Sequence, residues 1–168
     1  WGGGYASINS PVTISDGIFL SNRAQSSGGG LYLLGSSEGT VVRPLLSNCL
    51  ITGNSAGRDG GGISTWHSEP TLANCTIASN VAAGQTGKAF GGGLHVGYGS
   101  NATMRDSIVW QNLSTFTGSE IAVTHGSEYG PRSSTLRVTN SNVRTGDSND
   151  APPALDLVFV VNTTESMA

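Results

Sequence analysis

The chain has 168 residues, a net charge of -3, only 11% charged residues and glycine at 25 positions. That balance leaves no basic footprint for nucleic acid, because Arg23, Arg43, Arg58, Arg105, Arg132, Arg137 and Arg144 are scattered. No apolar run approaches the roughly 18 residues of a membrane span, and 36% hydrophobic residues recurring in register point to one domain with a buried core.

The chain opens on Trp1 inside a repeat, with neither an initiator methionine nor a signal peptide, as expected of a processed protein or a fragment. Gly28-Gly29-Gly30-Leu31, Gly60-Gly61-Gly62-Ile63 and Gly91-Gly92-Gly93-Leu94 repeat one phrase, at intervals of 32 (28 to 60) and 31 (60 to 91) residues. A period of that size signals a stacked array. The third glycine belongs to a column Gly4, Gly30, Gly62 and Gly93, continued by Glu120 and Ala154. Next come Tyr5, Leu31, Ile63, Leu94, Ile121 and Leu155, and two residues later Ser7, Leu33, Thr65, Val96, Val123 and Leu157. Apolar residues at i and i+2 describe a short strand with one buried face.

A second strand supplies Ile14, Leu46, Leu72, Met104 and Val138, followed two positions on by the polar column Asp16, Asn48, Asn74, Asp106 and Asn140. Three further lie Phe19, Ile51, Ile77, Val109 and Val143, and three beyond those Asn22, Asn54, Asn80 and Asn112, with Gly146 last. These columns predict an all-β solenoid of about five to six coils, three short strands per coil, stacked at roughly 4.8 Å. Asparagine suits the bends, since it tolerates left-handed backbone and can hydrogen-bond along the stack. Residues 1–146 form the coils; residues 147–168 read as a loop, a possible last strand over Leu155 to Val161 and a frayed tail.

The pairing of Gly-Gly-Gly-[Leu/Ile] with Ile-x-x-Asn resembles the repeats of polymorphic outer-membrane proteins and, more broadly, right-handed parallel β-helix repeats of large secreted and cell-surface proteins. The chain has glycine where that family usually has alanine, and mostly Ile or Val where it has phenylalanine. The resemblance implies the right hand and a surface-displayed structural or adhesive segment. It implies no catalytic residues and no cofactor.

Cys49 and Cys75 share a column in neighbouring coils, which allows either a disulfide between coils or two buried thiols. No histidine or third cysteine joins them, so no metal site is expected there. Asp16 and Asp106 are separated by two asparagine-bearing coils, about 14 Å apart and too far for a glycosidase carboxylate pair. Asp59, Glu69, Glu120 and Glu128 fall in or beside loops and read as structural or solvated carboxylates. His67, Tyr98 and His125 share a column; Trp66 neighbours His67, and His95 faces opposite to Leu94. Stacked rings there make either a platform for sugar rings or a protein partner, or simply stabilising cross-strand pairs. Asn-x-Ser/Thr sequons begin at Asn74, Asn101, Asn112 and Asn162. Asn74 is expected to be interior and closed to a glycan, and Asn101, in a Gly-Ser loop, to be the best acceptor; Asn112 and Asn162 are further candidates.

The leading expectation is a non-enzymatic structural or adhesive segment whose ends meet further coils of the same chain or other subunits, because a solenoid end without a capping helix exposes strand edges. The alternative is a carbohydrate-binding or polysaccharide-active β-helix using Trp66, His67, Tyr98 and His125. An ice-binding solenoid is ranked last, since Thr65, Thr103 and Thr124 form no single column.

Overall fold

A computed structural model describes residues 1–36, 41–84, 89–124 and 133–144, and the backbone of a short strand at 158–159. The first coil contains β1 (Tyr5–Ile8), β2 (Thr13–Ser15), β3 (Ile18–Leu20) and β4 (Arg23–Ala24). The second contains β5 (Leu31–Leu34), β6 (Leu45–Ser47), β7 (Leu50–Thr52) and β8 (Ser55–Ala56). The third contains β9 (Ile63–Trp66), β10 (Thr71–Ala73), β11 (Thr76–Ala78) and β12 (Val81–Ala82). The fourth contains β13 (Leu94–Gly97), β14 (Asn101–Arg105), β15 (Ile108–Trp110) and β16 (Leu113–Ser114). The fifth contributes β17 (Ile121–Val123), β18 (Thr135–Thr139) and β19 (Asn142–Val143), and β20 (Val158–Phe159) pairs with β18.

Equivalent strands stack into parallel sheets: β1-β5-β9-β13-β17, β2-β6-β10-β14-β18-β20, β3-β7-β11-β15-β19 and β4-β8-β12-β16. The three strands per coil expected from the columns build the first three sheets. The fourth sheet is a ladder of two-residue strands just before the glycine corner. The register follows the sequence columns: Leu31 pairs with Ile63, Ile63 with Leu94 and Leu94 with Ile121. Leu46 pairs with Leu72 and Leu72 with Met104 in the second sheet, and Ile51 with Ile77 and Ile77 with Val109 in the third. All of these side chains except Ile121 (8% exposed) are fully buried, and they form one continuous interior. Each buried aliphatic side chain contributes about 1.5–3 kcal/mol. The fourth sheet turns only Ala24, Ala56, Ala82 and Ser114 inward, small residues suited to its narrow corner.

The coil closes because single left-handed residues recur at each corner. Asp16, Asn48, Asn74, Asp106 and Asn140 all have φ between 47° and 57°, a region that Asn and Asp tolerate best among residues with a Cβ. This column is exposed, so the reading of Asn74 as interior is corrected: its side chain faces solvent because the left-handed bend turns it outward. The column Asn22, Asn54, Asn80 and Asn112 is the internal one, and the last three are fully buried. Asn54 Nδ2 donates to Asn80 Oδ1 at 2.9 Å and to Phe19 O at 2.8 Å, while Asn54 N–H also donates to Asn80 Oδ1 at 2.9 Å. Asn80 repeats this pattern on Asn112 Oδ1 and Ile51 O. Each amide therefore ties three coils together.

This ladder explains the third glycine of the triplet. A Cβ on Gly62 would come within 3.0 Å of Asn80 Nδ2, and one on Gly93 within 2.8 Å of the Asn112 amide. In the fifth coil Glu120 stands in that glycine column, and its carboxylate fills the next rung. Asn112 N–H and Nδ2 both donate to Glu120 Oε2, at 3.2 and 2.6 Å. Gly146, Ala154, Leu155 and Leu157, the last members of their columns, lie outside the described residues.

Candidate functional site

The outward-facing column of the first sheet runs Tyr32, Ser64, His95 and Ala122, and all four are buried. What covers them is built from the corners on either side. Arg58 and Asp59 immediately precede a glycine triplet, and Trp66 and Tyr98 end or follow strands of the same sheet. Asp59 is sealed from solvent: Oδ2 lies 3.2 Å from Arg58 Nε, and Oδ1 accepts the Phe90 N–H at 3.2 Å. Burial lifts its carboxyl to about 6, with Arg58 and the Phe90 N–H pulling the other way. Arg58 Nη2 donates to the Tyr98 hydroxyl at 3.1 Å, and its guanidinium lies 5.7 Å from the Trp66 ring centre. Arg58, in the corner between the second and third coils, thus reaches the fourth coil through the Tyr98 phenol, with the Trp66 ring under its guanidinium and its sequence neighbour Asp59 as counter-ion.

Around it the rings form a continuous row along the solenoid axis. Trp1 stacks on Tyr32 at 5.9 Å and 17°, Tyr32 meets Trp66 edge-on at 5.9 Å, and Trp66 leans on Tyr98 at 3.9 Å. A second arm runs from Tyr98 through His95 and Phe90 to Phe116. Trp1 is 69% exposed and Trp66 and Tyr98 are half-buried, whereas Tyr32 is covered and its phenol is pushed up to about 12 by burial.

Of the expected ring stripe, Trp66 and Tyr98 are brought into contact. His67 lies at the corner beside Trp66, half-buried, with φ of 49°. His125 lies outside the described residues. His95 does face away from Leu94, but the expectation that it takes part in binding is corrected. It is 1% exposed, with Nδ1 3.3 Å from Ser64 Oγ and Nε2 2.9 Å from Thr124 Oγ1. Burial, then the Arg58 charge, lowers it to about 3, so it is a neutral packing residue. Trp1, Tyr32, Arg58, Asp59, Phe90 and Phe116 were missed from the sequence. Tyr32 and His95 share a readable column one residue after the aliphatic one, which was the available signal.

The cysteine alternatives are resolved: Cys49 and Cys75 are free and buried, so the disulfide is not formed. Each thiol donates to a carbonyl of its own coil, Ser47 O at 3.3 Å and Ala73 O at 3.4 Å, and lies 3.7 Å from Ile14 O and 3.6 Å from Leu46 O of the coil before. The next coils put Ser107 and Ser141 in the same place, donating to Arg105 O at 2.7 Å and Thr139 O at 2.8 Å. The column is a set of small donors that close the turn around the left-handed residue. Burial raises the Cys75 thiol to about 11.

Among the sequons, Asn112 is closed to a glycan, because its amide is buried and donates to Ile77 O and Glu120. Asn101 is exposed but is the first residue of β14 rather than part of a loop, and its Oδ1 accepts the Thr135 hydroxyl at 2.9 Å. Asn162 lies outside the described residues. Asp16 and Asp106 are exposed corner residues. Among the described residues no three His, Cys, Asp or Glu side chains gather to hold a metal ion, and no helix is long and apolar enough to cross a membrane.

Residues 3–150 match the family model described as a right-handed β-helix region. No curated protein and no solved structure was found to match the chain. The family match carries the right hand of the coil and does not extend to the narrower polymorphic outer-membrane repeats. Four parallel sheets in sequential register and a match over nearly all of the coils lead to one assignment: the chain belongs to the right-handed β-helix family.

Proposed function

We propose that this chain is a non-enzymatic structural or adhesive β-helix segment of a secreted or cell-surface protein, working within a larger extracellular assembly. The observation that carries this reading is the apolar outer face of the third sheet. Ile18, Leu50 and Ile108 are exposed in one column with Thr76, and Leu20 and Trp110 are exposed in a second with Thr52 and Ala78. An exposed apolar stripe of this kind marks an interaction surface. Sedimentation over a concentration series tests the reading, with Leu50→Lys as a charge placed on that face. The parent associates as concentration rises and the variant does not; a parent that stays monomeric throughout overturns the assembly role.

A second reading rests on the ring row. Trp1, Trp66 and Tyr98 offer accessible ring surface beside the Arg58 guanidinium, a combination suited to stacking on sugar rings. Affinity electrophoresis through gels containing linear polysaccharides separates the readings. Retardation abolished by Trp66→Ala favours glycan binding, and no retardation with any polysaccharide removes it.

A further inference from the structure

The outer face of the third sheet carries a knob beside a hollow. One outward column runs Leu20, Thr52, Ala78, Trp110 and Arg144 along the solenoid axis. Trp110 is exposed, and the Arg144 guanidinium lies 5.8 Å from its ring centre, so the ring is propped from the side of the fifth coil. On its other side stands Ala78, the smallest side chain of the column, with Thr52 beyond it. The second outward column repeats this relief: Ile108 is exposed, and its neighbour in the third coil is Thr76. A step therefore runs across the strands between the third and fourth coils. Two large apolar side chains stand high on one side of it, and a methyl and a threonine lie low on the other.

A step of this shape is complementary to itself. A half-turn about a line parallel to the strands, midway between the third and fourth coils, lays a second copy's third sheet on the first with the coil order reversed. Positions along the strands stay matched, so Trp110 of each copy meets Ala78 of the other, and Ile108 meets Thr76. Large side chains fill small positions in both directions, as a closed two-fold pair requires. The other two-fold arrangement, about a line along the solenoid axis, keeps the coil order. It sets Trp110 on Ile108 and Thr76 on Ala78, which holds the faces apart and leaves a void over the third coil, where packing contacts are forfeited. We infer that this face docks a second copy of the chain with reversed coil order, each Trp110 seated over the partner's Ala78. This names the partner in the assembly reading and rests on that reading. Tryptophan is a common anchor at the centre of an interface. The strands of this sheet in the second, third and fourth coils are only three residues long, so the contact falls at the small end of protein interfaces and the association is weak and reversible.

The experiment is sedimentation equilibrium of the full chain and two variants, with thermal melts to verify that each variant folds. Trp110→Ala weakens association at least about tenfold. Ala78→Leu adds apolar surface but fills the seat, and it too weakens association at least about tenfold; a face that was only sticky would bind more tightly. Spin labels on Ser21→Cys and, separately, on Ser79→Cys read the coil order. Both positions are exposed in one corner column, and Cys49 and Cys75 are buried out of reach of the label. Reversed coil order puts the two Ser21 labels of a pair at least about 10 Å farther apart than the two Ser79 labels, given a coil spacing of roughly 4.8 Å. Unchanged association of Trp110→Ala, unchanged or tighter association of Ala78→Leu, or equal label separations at the two positions overturns this arrangement and leaves the assembly reading standing. A parent that stays monomeric removes the assembly reading and this arrangement with it.

Discussion

Asn112 Nδ2 lies 2.6 Å from Glu120 Oε2, so a carboxylate from the glycine column of the fifth coil occupies the rung that asparagine fills in the coils before it. The substitution of Glu for Gly and the end of the asparagine column are one event in space. In each earlier coil a Cβ at the glycine would come within 2.8–3.2 Å of the asparagine beside it.

Removing a middle rung is costly. Asn80→Ala abolishes both Nδ2 donations and leaves Asn54 N–H and Nδ2 facing an empty buried site. A loss of about 3–5 kcal/mol is expected from several stranded buried groups, against less than about 0.5 kcal/mol for the exposed Asn74→Ala apart from its backbone strain. Denaturant unfolding of the two variants checks the contrast.

The glycine columns differ in a measurable way. Gly93→Ala places a methyl 2.6 Å from Glu120 O and 2.8 Å from Asn112, and is expected to cost at least about 3 kcal/mol. Gly53 has φ of 65° but nothing nearer than Ser21 Oγ at 3.4 Å, so Gly53→Ala carries only the left-handed strain of about 1 kcal/mol. Thermal melts of both variants rank them.

Both ladders and the aliphatic interior were legible in the sequence because stacking makes each column a spatial neighbour of itself. Only the sign of burial at Asn74 escaped. A polar column at a corner looks the same whether its side chains point in or out, and the left-handed φ decides. The ring site was half legible. Tyr98 shares the His67 column and Trp66 stands beside it, but Trp1, Arg58 and Phe90 reach the row from corners whose direction no period encodes.

Acid acts on this protein through opposed groups. Asp59, raised from 3.8 to about 6, and Glu120, raised by burial, favour the fold most when protonated. Their contribution is present below the ordinary carboxylate values and is lost as pH rises through the folded ones. For Asp59 that is about 3 kcal/mol. His95, lowered from 6.5 to about 3, runs the other way: its contribution is present above 6.5 and is lost as pH falls. His95→Gln should therefore gain melting temperature relative to the parent on going from pH 7 to pH 4.5, and Asp59→Asn should lose it. Melts of each variant at the two pH values check both signs.

Thr65 Oγ1 is buried in the aliphatic column between Leu33 and Val96 with no hydrogen-bond partner. Thr65→Val removes that stranded hydroxyl at equal volume and should stabilise the protein by about 1 kcal/mol. A denaturant midpoint that falls instead would show that the hydroxyl has a partner.

The ladder itself is tested most directly by side-chain amide exchange resolved residue by residue. The Nδ2 protons of Asn54, Asn80 and Asn112 should be strongly protected, while those of Asn48 and Asn74 exchange near the rate of free asparagine. Fast exchange at Asn80, or equal protection in both columns, would contradict the stack of coils bound along an internal asparagine spine.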